Sequence, residues 1–410
     1  MQLTSQTPVA LTREALSQLA TTLLSYVITL VALSTLSPFK FVLPSQIDIN
    51  LNVEAHDVLL NLLLLLPAGF LFSLTRDPPR LDQQSLFPRR PPRPSDALLA
   101  GGALSLSLEA LQLLSPHRYC SPVDLLANAT GAYAGAVLFQ RLRPFVARGL
   151  AYELTLRMPL THFFYLLTLL LMIDGLMGRG APGRRLLVLP LAAAGALLCA
   201  AIYNHRLRAQ TRVHPFHVAL FAAVWCFLGS VANWVRAPAL GVGAACGCAL
   251  LTYGLCRLRF PRDVGRRFEL PTLQIVAVPM VSYLAGLFLQ SQAPRSAEHD
   301  QRLVFDAIEA LAALTLIGYG VAESMGRWVL NSRRALLWTP ALVTPVAAAM
   351  EWIAAGLSGY SPRPWLIPAT MLFSLWGVAI YRAELRVVQA LTQSSPIPAA
   401  GIPAAPARSR

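Results

Sequence analysis

The stretch that decides the fold is EALQLLSPHRYCSPVDLLANATGAYAG, residues 109–135. In it, two apolar helical segments flank a short polar turn. Ser121 followed by Pro122 is typical of a helix start, because serine caps the first turn and proline suits the first helical position. Gly131 and Gly135 lie four residues apart, so they form a small-residue surface that lets another helix approach closely. The stretch therefore predicts a helical hairpin with a third helix packed against it.

Polar residues cluster around the turn of this hairpin. Glu109 and Gln112 share a face near the end of the first helix, and Asp124 and Asn128 share a face at the start of the second. Arg118 lies in the turn between them. Carboxylates are costly inside a bilayer, so such a cluster predicts either an internal polar network or a functional site.

Composition places the chain in a membrane. Of its 410 residues, 55% are hydrophobic and only 13% are charged, whereas soluble globular proteins carry about 25% charged residues. The mean hydropathy is +0.53. Because basic residues of membrane proteins mark cytoplasmic loops, the net charge of +14 is not evidence for a nucleic-acid partner, and we expect none.

The fold class that we predict is all-α, a polytopic bundle of about twelve spanning helices, each near the roughly 20 residues that a bilayer requires. The candidate spans are residues 16–36, 58–75, 96–115, 122–141, 160–178, 185–203, 216–236, 238–256, 271–290, 303–322, 334–356 and 364–383.

Basic residues test this arrangement. With a cytoplasmic N-terminus, 25 of the 34 basic residues fall in loops on the cytoplasmic side of the twelve spans. This asymmetry favours a multi-pass protein with both termini in the cytoplasm. The polar turn at 115–121 then faces the extracytoplasmic side, together with Asp57 and Asn61 at the start of the second span.

Cysteine and histidine residues show no pattern of metal ligation. Five of the six cysteines lie in apolar stretches, so we interpret them as small buried side chains. His214 and His217 have no acidic neighbour at ligand spacing. We expect no metal site and no cofactor.

The ordered polar and glycine pattern resembles the VanZ-like family of bacterial membrane proteins. It reads N-x5-P-x-G in the second span, E-x2-Q in the third, and then R-x2-S-x2-D-x3-N-x2-G-x3-G. Its members here are Asn61, Pro67, Gly69, Glu109, Gln112, Arg118, Ser121, Asp124, Asn128, Gly131 and Gly135. The resemblance covers about residues 16–141. It implies a cell-envelope role in the bacterial cytoplasmic membrane and a link to glycopeptide resistance, with which the family's founding member is associated.

Four regions follow from this interpretation. Residues 1–150 form a VanZ-like module of four helices, 151–270 a middle four-helix segment, 271–390 a C-terminal four-helix segment, and 391–410 a disordered tail rich in proline and alanine. The C-terminal segment resembles a degenerate second copy in the same orientation. The echoes are Asp306, Glu309, Gly318-Tyr319-Gly320, Glu351 and Ser361-Pro362-Arg363.

Three roles for the polar cluster remain open. In the first, Glu109 and Asp124 are catalytic carboxylates, one of them a general acid or base. In the second, Arg118 binds a phosphate or carboxylate group, with further binding by Gln112, Asn128, Asn61 and Asp57. In the third, the residues form a network that only fixes the hairpin. Whether the protein is an enzyme is therefore left open.

The leading functional hypothesis is an envelope protein that binds or modifies a lipid-linked glycan or a surface lipid at its outer face. Its partners would be membrane lipids and a lipid-linked cell-wall precursor. One alternative is a multi-span transporter, although few ionisable residues lie near the membrane midplane. Another is a non-catalytic scaffold for envelope or polysaccharide assembly. The sequence does not indicate an oligomeric state.

Overall fold

The structure is a computed structural model of the chain. It describes residues 8–36, 42, 55–76, 93–114, 121–147, 182–204, 213–230, 237–258, 311, 314–319, 321–322, 332–358 and 366–394. Within these ranges the chain is helical apart from caps and turns, and no strand is present. The predicted all-α fold class is thus confirmed for the described residues.

Nine α-helices are labelled here in chain order. They are α1 (Pro8–Leu36), α2 (Ala55–Arg76), α3 (Pro94–Gln112), α4 (Pro122–Ala147), α5 (Val188–Ile202), α6 (Pro215–Gly229), α7 (Pro238–Arg257), α8 (Ser332–Ser358) and α9 (Leu366–Ser394). A 3-10 helix, Pro182–Leu187, leads into α5. Proline opens α1, α3, α4, α6 and α7, because it lacks the N–H that the first helical position leaves unbonded.

Three described helices are long and apolar enough to cross a membrane. These stretches are Glu14–Leu33, Pro238–Arg257 and Leu336–Ile353, and shorter apolar stretches lie at Asn61–Arg76, Arg185–Ala200 and Pro215–Phe227. α3 and α4 are not among them, because polar and charged residues interrupt their apolar stretches. The predicted spans 160–178 and 271–290 lie outside the described residues, as does most of 303–322. The count of twelve spans stays a prediction.

The chain divides into two compact units. The first comprises Met1–Leu156, Ser296–Ile308 and Ala379–Ser395, and the second comprises Arg157–Arg295, Glu309–Val378 and Pro396–Arg410. The finer division into four regions stays a prediction. At the C-terminus, α9 continues to Ser394, inside the range predicted as a disordered tail, because no proline interrupts the sequence before Pro396.

The first unit is built around the contact of α2 with α4. A methyl group placed on Gly131 would overlap the carbonyl of Leu62, and one on Gly135 would overlap the carbonyl of Leu66. The two helix backbones therefore touch directly. This is the close approach that the glycine spacing predicts, and the structure identifies α2 as the partner helix.

Further contacts complete this unit. α3 packs on α4, and α1 packs on α2. Near the far end of the α2–α4 contact, the rings of Phe70 and Phe139 meet edge to face with their centroids 5.5 Å apart, a geometry that aromatic pairs prefer. Phe139 is completely buried. The glycine contact is thus extended by a large apolar pair that fixes the same register.

The second unit contains an apolar core formed by α5, α6 and α7. Cys199, Cys226, Cys248 and Cys256 lie in this core as free thiols, while Cys246 is exposed. The Cys248 thiol donates weakly to the carbonyl of Ala192 at 3.4 Å. The interpretation of the cysteines as small buried side chains is confirmed for these four and is wrong for Cys246.

Gly135→Ala should destabilise the first unit, because its methyl group has no space between α4 and the backbone of α2. We expect the free energy of unfolding to fall by about 2 kcal/mol. Gly102→Ala is the matched control, since its methyl group would lie 3.7 Å from the Ala129 side chain, an ordinary contact. Thermal unfolding of both detergent-solubilised variants measures the difference. Equal melting temperatures would contradict the glycine contact.

Candidate functional site

Polar groups from four helices meet at one end of the first unit. The helices alternate in direction, so the end of α1, the N-terminal half of α2, the end of α3 and the start of α4 lie together. The hydrogen-bonded residues are Thr35, Asn61, Ser105, Glu109, Gln112, Ser121, Asp124 and Asn128. Here we call this set the polar end.

Glu109 is the most buried carboxylate of the polar end. Its side chain is only 6% exposed, and its Oε2 atom accepts the backbone N–H of Ser121 at 3.1 Å. Ser121 directly precedes the first residue of α4. A helix N-terminus carries partial positive charge and unbonded N–H groups, so it stabilises a carboxylate at this position. Glu109 therefore joins the end of α3 to the start of α4.

Ser121 caps α4. Its hydroxyl oxygen accepts the backbone N–H of Asp124 at 3.3 Å, three residues along the chain, as expected of a serine N-cap. Asp124 itself lies in the first turn of α4, where negative charge is favoured by the helix dipole. Ser121 thus donates its backbone N–H to the Glu109 carboxylate and accepts the backbone N–H of Asp124.

Asn61 links α2 to the same point. Its side-chain amide donates to Oδ1 of Asp124 at 2.6 Å, and both side chains are partly buried. Hydrogen bonds to an ionised carboxylate are short and stronger than those between neutral groups. The Asn61–Asp124 bond therefore adds a polar link to the glycine contact between α2 and α4.

Gln112 links α3 to α1. Its side-chain amide donates to the backbone carbonyl of Thr35 at 2.8 Å. Thr35 lies in the last turn of α1, where helix carbonyls have no partner within the helix. The backbone N–H of Val42 also donates to the carbonyl of Leu114 at 2.6 Å. Gln112 thus donates a hydrogen bond to a carbonyl that has no partner within α1.

Ser105 and Asn128 continue the polar end one turn deeper into the helices. Ser105 precedes Glu109 by four residues on α3, and Asn128 follows Asp124 by four on α4. The Asn128 amide donates to the Ser105 hydroxyl at 3.0 Å. Both side chains are buried, at 7% and 1% exposure for Asn128 and Ser105. Among the described residues, Oδ1 of Asn128 has no hydrogen-bond partner.

The structure thus brings together five of the seven predicted site residues: Glu109, Asp124, Gln112, Asn128 and Asn61. Arg118 lies outside the described residues, as does the side chain of Asp57, whose backbone belongs to the first turn of α2. An Arg118–Asp124 ion pair therefore stays a prediction.

Sequence reasoning missed Ser105 and Thr35. Ser105 could have been found, because it shares a face with Glu109. Thr35 contributes only a backbone carbonyl, which no residue pattern indicates.

The opposite end of the first unit has different chemistry. There, Arg76 and Asp96 form an exposed ion pair at 3.7 Å between α2 and α3. The Ser17 hydroxyl donates to the carbonyl of Thr75 at 3.0 Å, joining α1 to α2. Charge at this end is solvated, whereas the carboxylates of the polar end are bound by backbone and amide donors.

Residues 7–143 match the family model described as VanZ/LLP1. The VanZ-like resemblance is confirmed over this segment. The matched segment coincides with α1 to α4 and contains the whole polar end. No curated protein sequence and no solved structure matches the chain. Together with its apolar helices, the match supports a VanZ-like membrane protein.

The described residues of the VanZ-like segment offer hydrogen-bonding groups. Among the described residues, no three histidine, cysteine, aspartate or glutamate side chains come close enough to hold an ion. What the polar end presents is two carboxylates at a helix N-terminus, flanked by three side-chain amides. Such a set can hold helices together, and it can bind the polar group of an amphiphile.

Glu109→Ala should destabilise the hairpin of α3 and α4, because it removes the acceptor of the buried Ser121 N–H. We expect a loss of about 1–3 kcal/mol in the free energy of unfolding. Glu109→Gln is the control, since its side-chain oxygen can still accept that bond. Thermal unfolding of each variant in detergent gives the two melting temperatures to compare. If both variants melt together, the bond to Ser121 does not matter for the fold.

Proposed function

We propose that this VanZ-like protein is a multi-pass protein of the bacterial cytoplasmic membrane that acts on the cell envelope. Its polar end faces the extracytoplasmic side and binds a lipid-linked glycan or a surface lipid. Through that ligand the protein contributes to resistance against glycopeptides. Both termini lie in the cytoplasm.

The observation that supports this proposal most is the asymmetry between the two ends of the VanZ-like segment. Buried or partly buried carboxylates and amides gather at one end, while the exposed Arg76–Asp96 pair lies at the other. Polar groups buried among membrane helices are expensive and mark functional positions by default. The basic residues of the loops favour the Arg76 end as cytoplasmic. The polar end then lies where lipid-linked envelope precursors are used.

A second candidate function is a non-catalytic scaffold for envelope assembly. It is favoured by the hydrogen bonds of the polar end, since Glu109, Asp124 and Gln112 each bond to a neighbouring segment of the same unit. In that case the polar end serves the fold, and the protein acts through its surface. Catalysis by Glu109 and Asp124 stays a prediction.

Charge-removing variants separate ligand binding from scaffolding. Asp124→Asn keeps the side-chain volume and an acceptor for Asn61 while it removes the negative charge. We expect membrane abundance near the wild-type level, because the lost charge assistance is worth only about 1 kcal/mol. Glycopeptide susceptibility of a deletion strain complemented with this variant should match that of the uncomplemented strain.

Asp96→Asn is the matched control for this experiment, since Asp96 is an aspartate of the opposite end with an exposed partner, Arg76. A deletion strain complemented with Asp96→Asn should show the same glycopeptide susceptibility as the wild-type strain. Full complementation by both Asp124→Asn and Glu109→Gln would refute a role for the carboxylates and leave the scaffold function. Loss of abundance in Asp124→Asn would also favour the scaffold.

Cysteine labelling in intact cells tests the orientation. Val42 lies at the polar end and is 60% exposed, while Ser95 is exposed in the first turn of α3 at the opposite end. A membrane-impermeant maleimide should label Val42→Cys in intact cells and Ser95→Cys only after permeabilisation, with the wild-type chain as background. The reverse pattern would invert the proposed orientation.

A further inference from the structure

The glycine contact of α2 with α4 has a characteristic register. A methyl group on Gly69 would overlap the carbonyl of Ala132, which lies three residues before Gly135. A methyl group on Gly135 would overlap the carbonyl of Leu66, which lies three residues before Gly69. Each glycine therefore contacts the opposite helix at the residue that lies three positions before the other glycine in the sequence.

The second unit repeats this register with different residues. A methyl group on Gly318 would overlap the carbonyl of Ser374, three residues before Gly377 on α9. One on Gly377 would overlap the carbonyl of Thr315, three residues before Gly318. The Thr315 hydroxyl also lies 3.2 Å from the carbonyl of Phe373, to which it can donate. The helical residues 314–319 and α9 thus pack as α2 and α4 do.

The sequence spacing around the two glycine pairs agrees with this alignment. The pattern E-x12-P-x12-G occurs at 109–135 and again at 351–377. The pattern D-x11-G occurs at 57–69 and again at 306–318. This spacing aligns Pro364 with Pro122. The Ser361-Pro362 pair, which resembles Ser121-Pro122, therefore lies two residues before the aligned position.

Burial follows the same alignment on α3 and α8. Glu351 is 2% exposed and corresponds to Glu109. One and two turns earlier, the buried residues Ala347 and Val343 of α8 correspond to Ser105 and Gly101 of α3. The Gly69 and Gly135 contacts and the buried glutamate thus have counterparts in the second copy, whereas Gly131 corresponds to Phe373.

The Ser105–Asn128 pair is not shared. The corresponding buried residues of the second copy are Ala347 and Thr370. A helical threonine can bond its hydroxyl to a carbonyl of its own helix, so it needs no partner on another helix. The helix register is therefore compatible with the absence of the pair, and packing alone does not require it.

The pair also carries unused hydrogen-bonding capacity. Oδ1 of Asn128 has no partner among the described residues, and a serine hydroxyl that accepts one bond still has a hydrogen to donate. Rotating the Asn128 amide by half a turn only changes which amide atom is left over. A buried amide atom without a partner costs about 1–3 kcal/mol, so a bound group that satisfies it would be stabilised.

We infer that residues 306–377 are a degenerate second copy of 57–135, and that the Ser105–Asn128 pair binds ligand in the first copy. The ligand group is uncharged and both donates and accepts a hydrogen bond, as a hydroxyl or an amide does. This inference rests on the proposed function of the polar end and adds the chemistry of the bound group. The sugar of a lipid-linked glycan and the glycerol headgroup of phosphatidylglycerol both carry such groups.

The test places the second copy's residues in the first. The double variant Ser105→Ala/Asn128→Thr should melt within about 2 °C of wild type, because Ala347 and Thr370 are buried at the corresponding positions of the second copy. The control is Ser107→Ala/Thr130→Val, which changes exposed hydroxyls on the same two helices that bond only to their own helix. All three proteins are the full chain in nanodiscs.

Three lipid probes are then compared by native mass spectrometry. They are undecaprenyl-diphosphate-linked N-acetylglucosamine, phosphatidylglycerol and phosphatidic acid, which has neither an alcohol hydroxyl nor an amide. Wild type and control should retain one of the first two about tenfold more strongly than phosphatidic acid, as one or two buried hydrogen bonds predict. The double variant should retain all three equally. Which probe is preferred identifies the source of the bound group.

Three results would overturn the inference: no preference by wild type, an equal preference by the double variant, or a melting temperature well below that of the control. The last would show that the pair serves the fold. Lipid retention is measured without reference to any envelope phenotype. Complementation by Asp124→Asn, which would contradict the proposed function, is therefore distinguishable from a failure here.

Discussion

The first unit depends on the direct backbone contact between α2 and α4. Glycine permits this contact, because any larger residue at Gly131 or Gly135 would push the helices apart. In lipid, apolar surface gives helices little reason to associate, so close packing and interhelical hydrogen bonds supply the stabilisation. The Asn61–Asp124 bond lies on the same contact. The position of α2 therefore determines whether the carboxylates at the start of α4 find their partners.

Much of this arrangement could be predicted from the sequence, because it rests on short-range chemistry. The helix start at Pro122, the cap by Ser121 and the glycine surface each follow from local spacing, and the structure shows all three. What could not be predicted was the partner of each polar group. The Gln112 amide donates to a backbone carbonyl at the end of α1, and a residue pattern does not reveal such a partner. Ligand binding by Gln112 stays a prediction.

The inferred second copy, residues 306–377, indicates which residues of the VanZ-like segment are needed for helix packing. Gly69 and Gly135 have counterparts in the same register, and Glu109 has a buried counterpart in Glu351. Ser105 and Asn128 have none. The sequence alone groups the polar cluster as one functional unit, but its residues have different roles. Part of the cluster holds helices, and part has hydrogen-bonding capacity to spare.

The contact between α2 and α4 also has a consequence for how the chain is synthesised. Asn61 and its partner Asp124 are 63 residues apart, so α2 is synthesised well before α4 exists. At about 5–20 residues per second, the ribosome needs roughly 3–13 s to reach the partner. During that interval the glycine face and the Asn61 amide of α2 lack the partner helix that they contact in the folded protein. Assembly of the VanZ-like segment is therefore completed by its last helix, and a pause in translation before α4 would prolong the exposure of α2.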